Sequence, residues 1–150
     1  MRVTRYSLLS SAFVLILLLF GCAVSEDEAE QAEIDIADSP IEVRVTATSL
    51  VEDYENNRVA ANQKYNGKVL SVSGAVESIS GGTEGNALYV ALEAGDFSLD
   101  TVRCYFAPNR LDEVISLNKG DRVTLRGLGD EEKDRDPFSI DVIGCAILER

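Results

Sequence analysis

The chain has 150 residues, 26 of them acidic and 14 basic, and carries a formal charge of −12 with no His and no Trp. Without His there is no imidazole base and no His-ligated metal. The acid excess opposes nucleic acid, whose phosphates need a basic footprint, and the length suits a single domain.

Arg2 and Arg5 precede an apolar run from Leu8 to Phe20. The run is shorter than the roughly 20 residues that span a bilayer. A basic start followed by a short apolar stretch is the pattern of a secretory signal. Leu19-Phe20-Gly21-Cys22 resembles a bacterial lipobox, with Phe20 bulkier than the residue usual at its place. The resemblance implies that residues 1–21 are removed and that the Cys22 sulfur carries lipid. Several acyl chains, each methylene worth about 0.8 kcal/mol, then hold the protein on a membrane. Ala23 in place of an aspartate favours the periplasmic face of the outer membrane in a cell with two membranes.

Residues 22–40 hold Glu26, Asp27, Glu28, Glu30, Glu33, Asp35 and Asp38 and no base. So few large apolar groups cannot offset ordering entropy, and the segment is expected to be a disordered, self-repelling tether. After cleavage, residues 22–150 carry 12 bases against 26 acids, a charge of −14, and residues 41–150 carry 12 against 19, or −7.

In the domain, 41–150, the chain from Thr46 to Lys64 reads as one helix. Its stripe is Leu50, Tyr54, Asn57/Arg58, Ala61 and Tyr65. Ser49 or Thr48 is the expected cap, Glu52 and Asp53 suit the first turn, and Asn66-Gly67 suits the stop. The period then becomes two. Leu70, Val72, Gly74 and Val76 mark a first strand, with a bulge or bend expected at Gly74. A glycine-rich turn, 80–86, leads to a second strand at Leu88, Val90 and Leu92 and a third at Val102, Cys104 and Phe106. Pro108 to Leu117 reads as a short helix with Leu111, Val114 and Ile115 on one side. A fourth strand covers Arg122–Arg126. A charged loop, 130–137, precedes a fifth strand from Phe138 to Leu148 that Gly144 is expected to bend. The reading is mainly β. Three strands, a short helix and two strands give the order of the five-stranded OB-fold, a Greek-key barrel, here with a preceding N-terminal helix.

Tyr54-x-x-Asn57-x-x-x-Ala61-x-x-x-Tyr65-x-Gly67-Lys68 resembles the signature of the tRNA-anticodon-binding-like OB-fold family of bacterial exported proteins. Val102-x-Cys104-x-Phe106, Leu117-x-Lys119-Gly120-Asp121-x-Val123 and Asp141 to Cys145 are similar to its C-terminal half. The family's name records a fold, and fold alone does not set function.

Nucleic-acid binding by such a barrel uses aromatic platforms and a basic groove. Of Tyr54, Tyr65, Tyr89, Phe97, Tyr105, Phe106 and Phe138, most are read as core or helix-docking residues. Arg103, Arg122 and Arg126 are read as outward on their strands, among acids. No pair among Glu52, Asp53, Glu55 and Glu77 stands at a catalytic spacing, and no GxSxG is present, so an enzyme is not expected. Asp130 to Asp136 lacks the ligand spacing of an EF-hand, and neither metal nor cofactor is expected. With Cys22 lipidated, Cys104 and Cys145 remain, and an oxidising compartment favours a disulfide between them. Cys145 is out of phase with Phe138, Ile140 and Val142 unless a bulge at Gly144 resets the alternation. The expected function is a lipid-anchored envelope module that binds a protein or other envelope ligand on its barrel face. A single-stranded nucleic-acid binder and a purely structural envelope lipoprotein are the alternatives.

Overall fold

Val69–Ser80 is the hub of the sheet, because it pairs with three other strands. The computed structural model describes residues 36, 39–82, 87–95, 100–130 and 139–150. The described elements are β1 (Val43–Thr46), α1 (Ala47–Tyr65), β2 (Val69–Ser80), β3 (Leu88–Leu92), β4 (Thr101–Phe106), a 3-10 turn (Pro108–Arg110), α2 (Leu111–Ile115), β5 (Arg122–Gly129) and β6 (Ser139–Glu149). The first half of β2 runs antiparallel to β5, from Val69 opposite Leu128 to Ala75 opposite Arg122. Its second half runs antiparallel to β3, from Val76 opposite Leu92 to Ser80 opposite Tyr89. β3 pairs with β4, β4 with β6 in parallel, and β6 with β5. The ring β2-β3-β4-β6-β5 therefore closes on itself, which removes its open edges. This is the OB-fold barrel, with α1 before it and α2 between its third and fourth strands.

Alternation builds the core. Leu70, Val72 and Val76 of β2 turn inward with Val90 and Leu92, Val102 and Cys104, Val123 and Leu125, and Val142. Full burial of one such side chain is worth about 1.5–3 kcal/mol.

Four local features differ from the sequence reading. β1 is an added strand, parallel to β2 from Val43 opposite Leu70 to Thr46 opposite Ser73. It ends where the helix begins, so Thr46 is the cap. Its Oγ1 accepts the Ser49 N–H at 3.1 Å, and neither Glu52 nor Asp53 falls in the first turn. The β2 bulge lies between Val76 and Ser78, not at Gly74. Gly74 instead lets two neighbours close in, since a Cβ there would stand 3.2 Å from the Ala47 Cβ and 3.4 Å from the Leu92 Cβ. On α2 only Val114 is buried, while Leu111 is 36% and Ile115 67% exposed, because one helical turn presents a single residue to the barrel.

Gly144 behaves as expected. It sits at φ 62°, and the register with β5 gains one residue between Ala146 opposite Arg126 and Ile143 opposite Leu128. Burial then passes from Ile140 and Val142 to Cys145. The signal segment with Cys22, nearly all of the tether, residues 83–86, Phe97 and the charged loop from 131 to Phe138 lie outside the described residues.

Candidate functional site

The residues that carry the family signature form a clamp. α1 is not one straight helix, because Asn57 has φ −157° and ψ 90°. Its Oδ1 accepts the Ala60 N–H at 3.1 Å and so caps a second arm. A straight helix would set residues 53 and 64 about 16 Å apart. Here Lys64 Nζ donates to Asp53 Oδ2 at 2.7 Å, and Tyr65 OH donates to the same oxygen. Tyr54 OH donates to Asn66 Oδ1 at 2.8 Å, and the Tyr54 and Tyr65 rings stack with centroids 6.0 Å apart. Ala61 lies buried between the arms and the core. Gly67 takes φ 68°, its N–H donates to Gly129 O at 2.9 Å, and Gly129 N–H donates to Lys68 O at 3.0 Å. Tyr54, Asn57 and Tyr65 thus close the helix on itself, and Gly67 and Lys68 tie its end to the end of β5. The pattern is architectural.

Hydrogen bonds from Lys64 and then Tyr65 hold the Asp53 carboxyl below its ordinary value of 3.8. A depressed carboxyl stabilises the fold above its unfolded pKa, and that contribution is lost as pH falls through the folded value. Asp53→Asn is therefore expected to lower the melting temperature at neutral pH. The gap to the wild type should narrow as pH falls from neutral to below the ordinary carboxylate range. A gap of the same size at both pH values would show that packing, not the charge, sets the effect.

The outward face of β3 and β4 is built differently. Tyr89 and Tyr105 are directly opposite partners, half-buried, and point away from the core that Val90, Cys104 and Phe106 fill. Their ring centroids lie 5.5 Å apart at an interplanar angle of 51°. Arg103 shares this face, its guanidinium carbon 5.5 Å from the centre of the Tyr89 ring. Across the parallel seam, Asp141 of β6 is the register partner of Arg103. Asp130 N–H donates to Asp141 O at 3.0 Å and ties the strand ends together beside it.

Among the described aromatic residues, Tyr54, Tyr65 and Phe106 are core, as expected of most of them, and Tyr89 and Tyr105 are the two that are not. The signal was present, since both occupy the polar phase of their strands. Arg103, Arg122 and Arg126 do lie on outward positions.

The tRNA_anti-like family model matches residues 1–138. The chain belongs to the tRNA_anti-like family. Among solved structures, a tRNA_anti-like chain with this barrel is similar to a Klebsiella pneumoniae subsp. pneumoniae lipoprotein named as a candidate nucleic acid-binding protein. The TM-score is 0.56 at 15% identity, covering 70% of this chain and 91% of that one. OBody AM3L09 bound to hen egg-white lysozyme gives a TM-score of 0.42 at 17% identity, covering 58% of this chain and 87% of that one. OBody AM1L10 bound to the same lysozyme gives 0.41 at 22%, covering 58% and 85%. No curated protein matches the chain.

Cys104 and Cys145 are both fully buried, each carrying its thiol in this structure. Cys145 Sγ donates to Val142 O at 3.3 Å, and Val142 is the register partner of Cys104. Burial above all, and then the hydrogen-bonded Cys104 thiol beside it, push the Cys145 thiol up. On the outer face of β1 and β2 lies a cleft of about 750 Å³ lined by Arg44, Thr46, Ser71, Ser73, Thr124 and Glu149 among others. It mixes hydroxyls with charges of both signs. Among the described residues no group of three or more Cys, Asp and Glu is placed to hold a metal ion.

Proposed function

We propose that this protein is an exported, lipid-anchored binding module that presents the outer face of β3 and β4 to a ligand of the cell envelope. In this reading residues 1–21 are a signal, Cys22 carries the lipid, and residues 22–40 hold the domain away from a membrane. The periplasmic face of the outer membrane is its place in a cell with two membranes. One observation carries the binding role: Tyr89 and Tyr105 spend large apolar rings on the outside of a barrel whose core is already filled. Half-buried aromatic residues on an outer face beside an arginine are the composition of a recognition surface. On an OB-fold this face, with the loops at its rim, is where ligands dock. Single-stranded nucleic acid is the second reading. The aromatic pair with Arg103 favours it, and the −7 charge of residues 41–150 opposes it.

In the same reading, Cys104 and Cys145 pass to a disulfide as the chain folds in an oxidising compartment. The two thiols lose two protons and two electrons to a disulfide-carrying oxidant. The closed loop of about 42 residues corresponds to about 4 kcal/mol on the chain-entropy estimate.

Intact mass of the protein from the membrane fraction, after alkylation under denaturing, non-reducing conditions, tests the anchor and the thiols together. The expected species begins at Cys22, carries a diacylglyceryl adduct and takes up no alkyl group. A soluble product with a free Cys22 would overturn the anchor, and two alkylated residues would overturn the bond. The binding role is tested by capture from the envelope with the mature chain and its Tyr89→Ala variant. Material that binds both equally would show that this face is not the ligand face.

A further inference from the structure

We infer that the cleft between α1 and the outer face of β1, β2 and β5 binds a short peptide with free ends, at a site that shares no residue with the β3–β4 face. Its volume, about 750 Å³, falls in the range of about 300–1,000 Å³ usual for small-ligand sites. A second cleft of about 550 Å³ shares Thr46, Ser73, Thr124 and Glu149 with it, so the two are continuous. Register lays out the floor. One row across the sheet is Arg44 and Ser71, and the next is Thr46, Ser73, Thr124 and Glu149. Ser71 is only 5% exposed and opens on the cleft, and among the described residues its hydroxyl has no hydrogen-bond partner. A buried hydroxyl left without a partner is costly, and a bound ligand supplies one.

The charges set the ligand's ends. On the α1 wall, Lys64 and Asp53 are closed on each other at 2.7 Å. Among the described residues no hydrogen bond or ion pair engages the Arg44 or the Glu149 side chain. Arg44 stands on the first and Glu149 on the last of the neighbouring strands β1, β2, β5 and β6. Three strand spacings of about 4.8 Å put them about 14 Å apart across the sheet. An extended peptide advances about 3.4 Å per residue, so about four residues span that distance. The terminal carboxylate then meets the Arg44 guanidinium and the terminal ammonium meets Glu149. Between them the hydroxyls of Ser71, Ser73 and Thr124 each donate and accept, which suits the alternating N–H and C=O groups of a peptide.

Other ligands fit less well. The acids Glu52, Asp53 and Glu149 outnumber the bases Arg44 and Lys64 around the cleft, so an anion alone meets an unfavourable field. A cation alone leaves Arg44 facing like charge, and a neutral ligand leaves both corner charges without a counter-charge. A zwitterion with its charges held apart satisfies both. Leu148, 41% exposed on the rim, offers apolar contact to a peptide side chain.

The test uses the mature lipidated chain in detergent micelles, titrated by calorimetry with tetraalanine, N-acetyl-tetraalanine and tetraalanine amide. Saturable binding of one tetraalanine per chain is expected. Capping either end should weaken it about tenfold, the loss of one charge-assisted contact. Arg44→Gln should weaken tetraalanine about tenfold and leave the amide as it was, because the amide has already lost that contact. Glu149→Gln should act in the same way on tetraalanine and spare the N-acetyl form. Tyr89→Ala should change none of these affinities, so the outcome here is independent of the reading of the β3–β4 face. No binding of tetraalanine, or equal binding of its free and capped forms, would overturn the inference. Binding lost in Tyr89→Ala and kept in Arg44→Gln and Glu149→Gln would overturn the placement.

Discussion

Ala61→Arg is expected to lower the stability of the domain by about 4 kcal/mol, the combined cost of overpacking and of burying an unpaired charge. Ala61 is 2% exposed and sits in the core cluster with Leu50, Tyr54 and Tyr65. The clamp around it is closed by side chains, from Lys64 to Asp53 and from Tyr54 to Asn66. A guanidinium has no path to solvent unless the second arm of α1 lifts away. Against a total stability of about 5–15 kcal/mol, such a loss leaves a marginal fold. Val59→Arg is the control, because Val59 lies on the same arm and is 70% exposed. Its effect should stay within about 0.5 kcal/mol. Urea unfolding followed by circular dichroism measures both. Equal midpoints for the two variants would show that the second arm of α1 does not dock on the barrel.

The second large effect is expected at Gly127, where β5 passes the bulge in β6. A Cβ there would stand 2.4 Å from Val142 Cγ1, 2.7 Å from Cys145 Sγ and 3.1 Å from Ile143 O. Val142 and Cys145 are both fully buried, so neither side chain can swing away. Gly127→Ala should therefore cost about 2–3 kcal/mol through strain, despite adding a single methyl. Val142→Ala alone leaves a small cavity and should cost about 1–2 kcal/mol. Combined, the two should cost less than their sum, because the methyl at 127 fills part of the space left at 142. Strict additivity in the double-mutant cycle would place these two side chains apart and refute the packing described for this seam.

The comparison of sequence and structure divides along physical lines. Alternation exposed the five barrel strands because each has one buried and one outer face, and that period survives in isolation. Gly144 was legible for the same reason, since Cys145 broke the phase and a left-handed glycine stood beside it. Asn57 was not. Nothing in local propensity distinguishes an asparagine within a helix from one that caps a second arm. The fold-back depends on Asp53, Lys64 and Tyr65 meeting across it. β1 escaped because four residues are too few to show a period, and only pairing with β2 makes them a strand. The candidate site was half legible. Tyr89 and Tyr105 stood in the polar phase of their strands, but their direct opposition and the place of Arg103 above Tyr89 depend on the register of β3 against β4. The signature residues were found through resemblance, and their structural role emerged only from their hydrogen bonds.

The seam between β4 and β6 sets a timetable. β6 holds both β4 and β5, so the barrel has two open sides until Ser139–Glu149 has been made. The β4–β6 pairing joins residues that lie 38 apart in the chain, Thr101 with Ser139 and Cys104 with Val142, and such contacts form late and slowly. A nascent chain arriving at a secretion pore is therefore still without its closing stave. For a protein proposed to be threaded through a membrane and to fold on the far side, that delay keeps the polypeptide loose enough to pass.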